Sequence, residues 1–209
     1  MKSNNNYAIS CLRDLPESLA AAFGKEKGDR IFDAAQKILA SELAEVDDRG
    51  NKTIGRHIRC NILPGYACYR AMLDAGISSS KAVAFVRAEL FRYTERMAKL
   101  CRRLSTKKYT YGMLRMIIGA VLNYGYPKQG WTVTMLEKNK QRIRFDITSC
   151  LYCEELKKRG ALELCPAFCD TDVASYSPLA PSVLFKRENT FEVTGVKCDF
   201  CFEKGTVIR

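Results

Sequence analysis

The spacing of apolar residues changes once along this chain, at Tyr126-Pro127, and that change separates what can fold before it from what can fold after it. Upstream, apolar residues recur three and four apart, as on one face of an α-helix: Ile31, Ala34, Ala35, Ile38, Leu39 and Leu43, then Val83, Val86, Leu90, Phe91, Met97 and Leu100. Downstream, Trp131, Val133 and Met135 alternate with threonines, and Ile143, Phe145 and Ile147 alternate again after a polar turn at residues 137–141, which is the period of a β-hairpin. The pattern predicts an α+β fold: an N-terminal helical bundle over residues 1–125, then an antiparallel β-sheet with helices packed on one face over residues 126–209. With 209 residues in all, the two regions are expected to form one compact unit with a shared site.

Within the helical region, Asp47, Asp48 and Gly50 end the first periodic run. Residues 54–73 are apolar on more than one side, as a central helix would be, with a kink or split expected at Pro64-Gly65. Gly76 should close that helix, and Ser78, Ser79 and Ser80 offer N-cap oxygens to the next. After the hairpin, helices are expected over 150–159 and from Pro166 toward Ser175, and strands over 183–185, 191–193 and 196–202.

Six of the ten cysteines follow residue 149 as three close pairs: Cys150 with Cys153, Cys165 with Cys169, and Cys198 with Cys201. A metal site or a redox step draws two thiols from one short segment in this way. The opening segment MKSNNNYAISCLRDLPESLA has no apolar run of signal-peptide length, and no window approaches the ~20 apolar residues of a membrane span. A soluble, cytoplasmic chain is therefore expected, with its thiols kept reduced, which favours ligand or catalytic cysteines over a disulfide framework. Buried inert thiols are the plain alternative. Cys150, Cys165, Cys169 and Cys198 are the candidate ligands for zinc or an iron-sulfur cluster. In CDFCF, strand alternation sends Cys198 and Phe200 to one face and Asp199 and Cys201 to the other.

The formal charge of +11 is concentrated: residues 81–149 hold 15 Lys and Arg against 4 Asp and Glu. Lys99, Arg102, Arg103, Lys107 and Lys108 surround a predicted helix end, where the dipole favours cations. Lys138, Lys140, Arg142 and Arg144 read as one solvated hairpin face. No groove-reading motif accompanies them, so a nucleic-acid partner is not favoured.

Two segments carry candidate chemistry. His57, the one histidine, and Asn61 lie a helical turn apart beside Pro64-Gly65, and polar groups on an apolar helix are either satisfied or functional. They are expected to line a pocket between helices and sheet, with His57 suited to proton transfer near neutrality; a satisfied structural histidine is the alternative. In LCPAFCDTD, a helix opening near Pro166 puts Cys165 and Cys169 a turn apart, with Asp172 a turn beyond Cys169. A helix N-terminus favours the thiolate, making Cys165 the best-placed nucleophile or ligand on local grounds. Asp172 would orient a water or a protonated base, or with Asp170 merely complement the helix dipole.

Three stretches, RHIRCNILPGYACYRAMLDAGISSSKAV, CLYC with GALELCPAFCDTD, and RENTFEVTGVKCDFCF, together resemble the L-2-amino-thiazoline-4-carboxylic acid hydrolase family. The ordered set L-C-P-x-x-C-x-x-D followed by G-x-x-C-D-F carries the resemblance, which runs from about Arg56 to Phe202. It implies a bacterial enzyme of cysteine biosynthesis that opens a five-membered aminothiazoline ring to a carbamoyl-cysteine. The family pattern matches Cys150, Cys165, Cys169, Asp172, Cys198, Asp199 and Phe200, while Cys153 and Cys201 fall outside it.

Hydrolysis at a ring carbon between sulfur and nitrogen, whether a C–N or a C–S bond breaks, needs a nucleophile, a proton donor and a cation for the substrate carboxylate. Cys165, Cys169, Asp172 and His57 are the expected catalytic set. Asn61 and Arg187 are expected to bind the small anionic cyclic substrate, Arg187 bidentately from just before a strand at 189–193. The rival reading is a cysteine-rich metal-binding or small-ligand-sensing domain without catalysis.

Overall fold

The computed structural model describes Leu12 and residues 14–207; of the opening segment MKSNNNYAISCLRDLPESLA, residues 1–11 and 13 lie outside them. Before residue 126 the regular elements are helices: α1 (Leu15–Phe23), α2 (Lys25–Ala44), α3 (Lys52–His57), α4 (Leu63–Asp74), α5 (Ser79–Ser105) and α6 (Thr110–Gly125). Among the described residues, no helix is long and apolar enough to cross a membrane. Ile31, Ala35 and Leu39 of α2 are buried, and α2 packs against α4.

The expected break in the central helix is present in an unexpected form. A π turn, Ile58–Ile62, joins α3 to α4, and the Leu63 N–H reaches back to the Ile58 carbonyl. Pro64 has no N–H to give, and in α geometry its ring would press on the carbonyl of Cys60. Widening the turn just upstream accommodates both effects and re-aims the side chains within it, Asn61 included. Ile54 before the turn, Ile58 and Ile62 within it, and Leu63 and Ala67 after it are all fully buried. Gly76, at φ +77°, closes α4, with the Ile77 N–H bonded to the Met72 carbonyl at 3.0 Å. The serines after it do not cap α5 through their side chains. Ser78 Oγ contacts Ser80 Oγ at 3.4 Å, and Ser79 Oγ meets the Tyr69 hydroxyl at 3.0 Å.

From residue 131 a four-stranded sheet is assembled from β1 (Trp131–Lys138), β2 (Arg142–Cys150), β3 (Val183–Lys186) and β4 (Cys198–Lys204). Its order is β1-β2-β4-β3, antiparallel throughout. The hairpin turn is held by Asn139, whose side-chain oxygen accepts from the Gln141 and Arg142 N–H groups at 2.7 and 2.9 Å. Ile143, Phe145 and Ile147 of β2 and Cys198, Phe200 and Phe202 of β4 fill the covered face. Phe145 lies opposite Phe200 with stacked rings 4.9 Å apart. The other face is charged: Arg142 and Lys186 pair with Glu203 at 3.3 and 2.7 Å, and Lys197 pairs with Asp146 at 2.7 Å.

Helices α7 (Leu151–Lys158) and α8 (Cys165–Tyr176) follow the hairpin, and α8 packs along α5. One cluster of buried apolar residues runs from Leu12 to Phe202, so both regions share a core. The strand expected at 191–193 is replaced by a single helical turn, α9 (Phe191–Thr194). Asp199 draws the preceding backbone into a loop by accepting from the N–H groups of Glu188 and Asn189 at 2.9 and 2.7 Å. Gly195, at φ +67°, turns the chain into β4, which starts at Cys198 and not at 196. Arg187 therefore stands just after β3, not before a strand.

Candidate functional site

A cavity of about 510 Å³ opens where the π turn, α5, α8 and the covered face of the sheet meet. Its wall takes His57 and Asn61 from the central helix, and Cys169 and Asp172 from α8. Trp131, Cys150 and Tyr152 come from the hairpin and α7, and Arg187 and Cys198 from the end of the chain. Packing explains why the helices can approach closely here. A Cβ on Gly65 would lie 2.6 Å from the tip of the Phe168 ring, so the absence of a side chain lets α8 seat against α4.

His57 is held at both nitrogens. Nε2 lies 3.0 Å from the Gly125 carbonyl oxygen, which can only accept, so Nε2 carries the hydrogen. Nδ1 then accepts from the Tyr152 hydroxyl at 3.0 Å, and Asn61 Nδ2 donates to that same oxygen at 3.2 Å. Burial holds the His57 pKa below its ordinary value, against the pull of the Gly125 carbonyl, so the ring is neutral at pH 7. The ring also meets Trp131 edge-on, with centroids 4.9 Å apart. His57 is thus an acceptor that orients Tyr152, more than a base with a vacant nitrogen.

Asp172 and Arg187 form the opposite wall. Arg187 Nη1 donates to Asp172 Oδ2 at 2.9 Å and to the Cys169 carbonyl at 2.8 Å, and the guanidinium is nearly buried over the Phe200 ring. Burial pushes the Asp172 carboxyl up to about 6 although Arg187 favours its charged form. Tyr126 and Tyr176 also line the cavity, both held protonated chiefly by burial.

Of the expected catalytic set, His57, Cys169 and Asp172 reach this cavity, as do Asn61 and Arg187; Cys165 does not. It is fully buried behind the wall, and its hydrogen bonds to Cys153 and Cys169 together with burial hold its pKa far above the ordinary thiol range. Those neighbours outweigh the helix N-terminus that favoured a thiolate. The ligand set is not formed either: among the described residues, no three His, Cys, Asp or Glu side chains are grouped to hold a metal ion. Cys165 turns to Cys153, and the Cys198 thiol accepts from the Phe191 N–H at 3.0 Å, with burial pushing its pKa up to about 12. Cys201 lies on the charged face of the sheet, beside Arg142 and Arg144. Tyr152, Trp131 and Tyr176 were not foreseen from the sequence. Tyr152 stands between two cysteines in CLYC, and a tyrosine next to a β-hairpin carries no signal of its own.

The model of the L-2-amino-thiazoline-4-carboxylic acid hydrolase family matches residues 55–202. The chain belongs to that family. Every cavity-lining residue named above lies within the matched stretch, whereas α1 and α2 precede it. No curated protein and no solved structure matches the chain.

Proposed function

We propose that this chain hydrolyses L-2-amino-thiazoline-4-carboxylate, or a closely related cyclic amidine carboxylate, by adding water to the ring carbon between sulfur and nitrogen. One observation carries the reading. A nearly buried guanidinium, a carboxyl with a pKa of about 6 and the His57–Tyr152–Asn61 network face one cavity of about 510 Å³. These are the parts needed to anchor an anion, activate water and orient an amidine.

The substrate carboxylate docks on Arg187, whose hydrogen bonds to Asp172 and to the Cys169 carbonyl both use Nη1, one of its three nitrogens. Asp172, ionised above about pH 6, takes the proton of the attacking water. Tyr152 points its hydrogen at His57 and so presents its oxygen to the amino group on the reacting carbon. The tetrahedral adduct then breaks its C–S bond, because a thiolate of pKa ~8.5 leaves far more readily than an amide-type nitrogen anion. The proton held by Asp172 passes to sulfur, and the hydroxyl hydrogen of the adduct moves to the ring nitrogen as the carbonyl forms. Ring plus water gives a carbamoyl-cysteine with a free thiol.

The test is incubation of the purified protein with L-2-amino-thiazoline-4-carboxylate, following product mass and thiol release together. One free thiol per molecule hydrolysed is expected. Asp172→Asn should lower kcat by about 100-fold or more, the scale of a lost general base, while Cys169→Ser should cost only a few-fold. A product with a free amine and no thiol would mean that the C–N bond breaks. The opposite ranking of the two variants would make Cys169 the nucleophile. Binding without turnover would favour the sensing domain.

A further inference from the structure

The ring-opening chemistry leaves Cys150, Cys153 and Cys165 without a task, yet with Cys169 they form a line of sulfurs. Cys150 is the N-cap residue of α7 and Cys153 lies in its first turn; Cys165 opens α8 and Cys169 follows one turn later. The Cys150 thiol hydrogen-bonds to Cys153, Cys153 Sγ stands 2.7 Å from Cys165 Sγ, and Cys165 hydrogen-bonds to Cys169, all four being free thiols. The outer two are on the cavity wall, whereas the inner two are 6% and 0% exposed. Two sulfurs in contact, outside any metal-holding group among the described residues, are set for closure to a disulfide.

We infer that Cys153 and Cys165 are a redox-active dithiol, oxidised by a low-molecular-weight disulfide that enters the cavity and is received by Cys150. Cys150 attacks the small disulfide RSSR, whose S–S bond breaks; a Cys150–S–SR bond forms and one RSH leaves with the Cys150 proton. Cys153 then attacks the Cys150 sulfur as its thiolate, giving a Cys150–Cys153 disulfide and RS⁻, which becomes the second RSH by taking from water the proton that Cys153 released on ionising. Cys165, held as the thiol in the reduced chain, passes its proton to the departing Cys150 sulfur as it attacks Cys153, which returns Cys150 to the thiol. Two electrons have passed from the Cys153–Cys165 pair to RSSR, and two protons have left on two RSH. In the reduced chain, hydrogen bonds from the Cys150 and Cys165 thiols hold the Cys153 pKa below its ordinary value, and once Cys150 carries SR the Cys165 thiol is the donor left to favour the Cys153 thiolate in the second step. Burial then shields the inner disulfide from returning RSH, so the bond that ties α7 to α8 is the end of the sequence and the Cys150–Cys153 bond is its intermediate. The inference needs the cavity but not the ring-opening reaction.

The experiment uses the reduced full chain, oxidised glutathione as the small disulfide, and alkylation of remaining thiols before peptide mapping by mass spectrometry. A Cys153–Cys165 cross-link is expected as the accumulating product. Cys150→Ser should slow its formation about tenfold or more, with Cys150→Ala as the check should the first variant fold poorly. Cys201→Ser, on the far face of the sheet, should leave the rate unchanged. Cys153→Ser should abolish the cross-link while any ring opening in reducing buffer stays within about twofold, so loss of one reading leaves the other standing. Full alkylation of Cys153 and Cys165 after exposure would overturn the inference. So would a stable Cys150–Cys153 bond as the end product, or an unchanged rate in both Cys150 variants.

Discussion

Asp172 keeps its proton up to about pH 6 because burial outweighs the Arg187 guanidinium 2.9 Å away, with Asp170 adding to the rise. Two consequences follow, and their signs differ. In its proposed role of general base Asp172 would act only when ionised, so kcat/KM should rise with pH through about 6 and level off above it. In Asp172→Asn the residual rate should lose that limb. Stability runs the other way. The folded-state pKa lies above the ordinary 3.8, so this carboxyl's stabilisation is fully present below about 3.8 and is lost as pH rises through about 6. Asp172→Asn should therefore raise thermal stability at pH 8, by an amount on the order of 1–3 kcal/mol, and do little at pH 4. Thermal melts at both pH values check this, and a variant less stable at pH 8 would show that the ion pair with Arg187 outweighs the cost of burying the charge.

At the scale of elements, the contact between α4 and α8 depends on Gly65, and Gly65→Ala tests it. The added Cβ would meet the Phe168 ring at 2.6 Å, and a ring fixed in a core has little freedom to move. A loss of about 1–3 kcal/mol is expected in denaturant melts, with partial recovery when Phe168→Leu is combined with it. Additive losses would place the strain elsewhere. The helices and hairpin were legible in the sequence because their apolar residues keep a strict period, as in Ile31 to Leu39 and Ile143 to Ile147. The π turn was legible only as a break at Pro64, since where a helix widens depends on what packs around it. The turn at Phe191–Thr194 was misread as a strand because its cause, Asp199, pairs with Glu188 and Asn189 from ten and eleven residues away. The polar pair His57 and Asn61 could be placed near a pocket from spacing alone. Burial of Cys165 could not, because the side of α8 that faces inward is decided by α5 and α7, and periodicity within CPAFCDTD marks no apolar face.

Across the whole molecule, the basic excess of residues 81–149, 15 cations against 4 acids, belongs to α5, α6 and the hairpin, of which α5 and the hairpin contribute residues to the cavity wall. Several of these cations are paired, among them Arg87 with Asp170 at 2.9 Å and Arg102 with Glu95 at 2.5 Å. Arg96, exposed on α5, instead lines the cavity itself. In the proposed reaction, a field of this sign would concentrate the carboxylate substrate near the opening before Arg187 engages it. Raising ionic strength from about 0.05 to about 0.5 M shortens the screening length from roughly 14 to roughly 4 Å, too short for the distant cations to act. The expected result is a several-fold fall in kcat/KM with kcat unchanged, because screening acts on capture and not on the step that Asp172 assists. Arg96→Gln should raise KM and flatten part of that salt dependence, and the uncharged amide of the same substrate should show almost none. An equal salt response for the carboxylate and its amide would mean that the excess charge serves the surface and has no part in bringing substrate to the site.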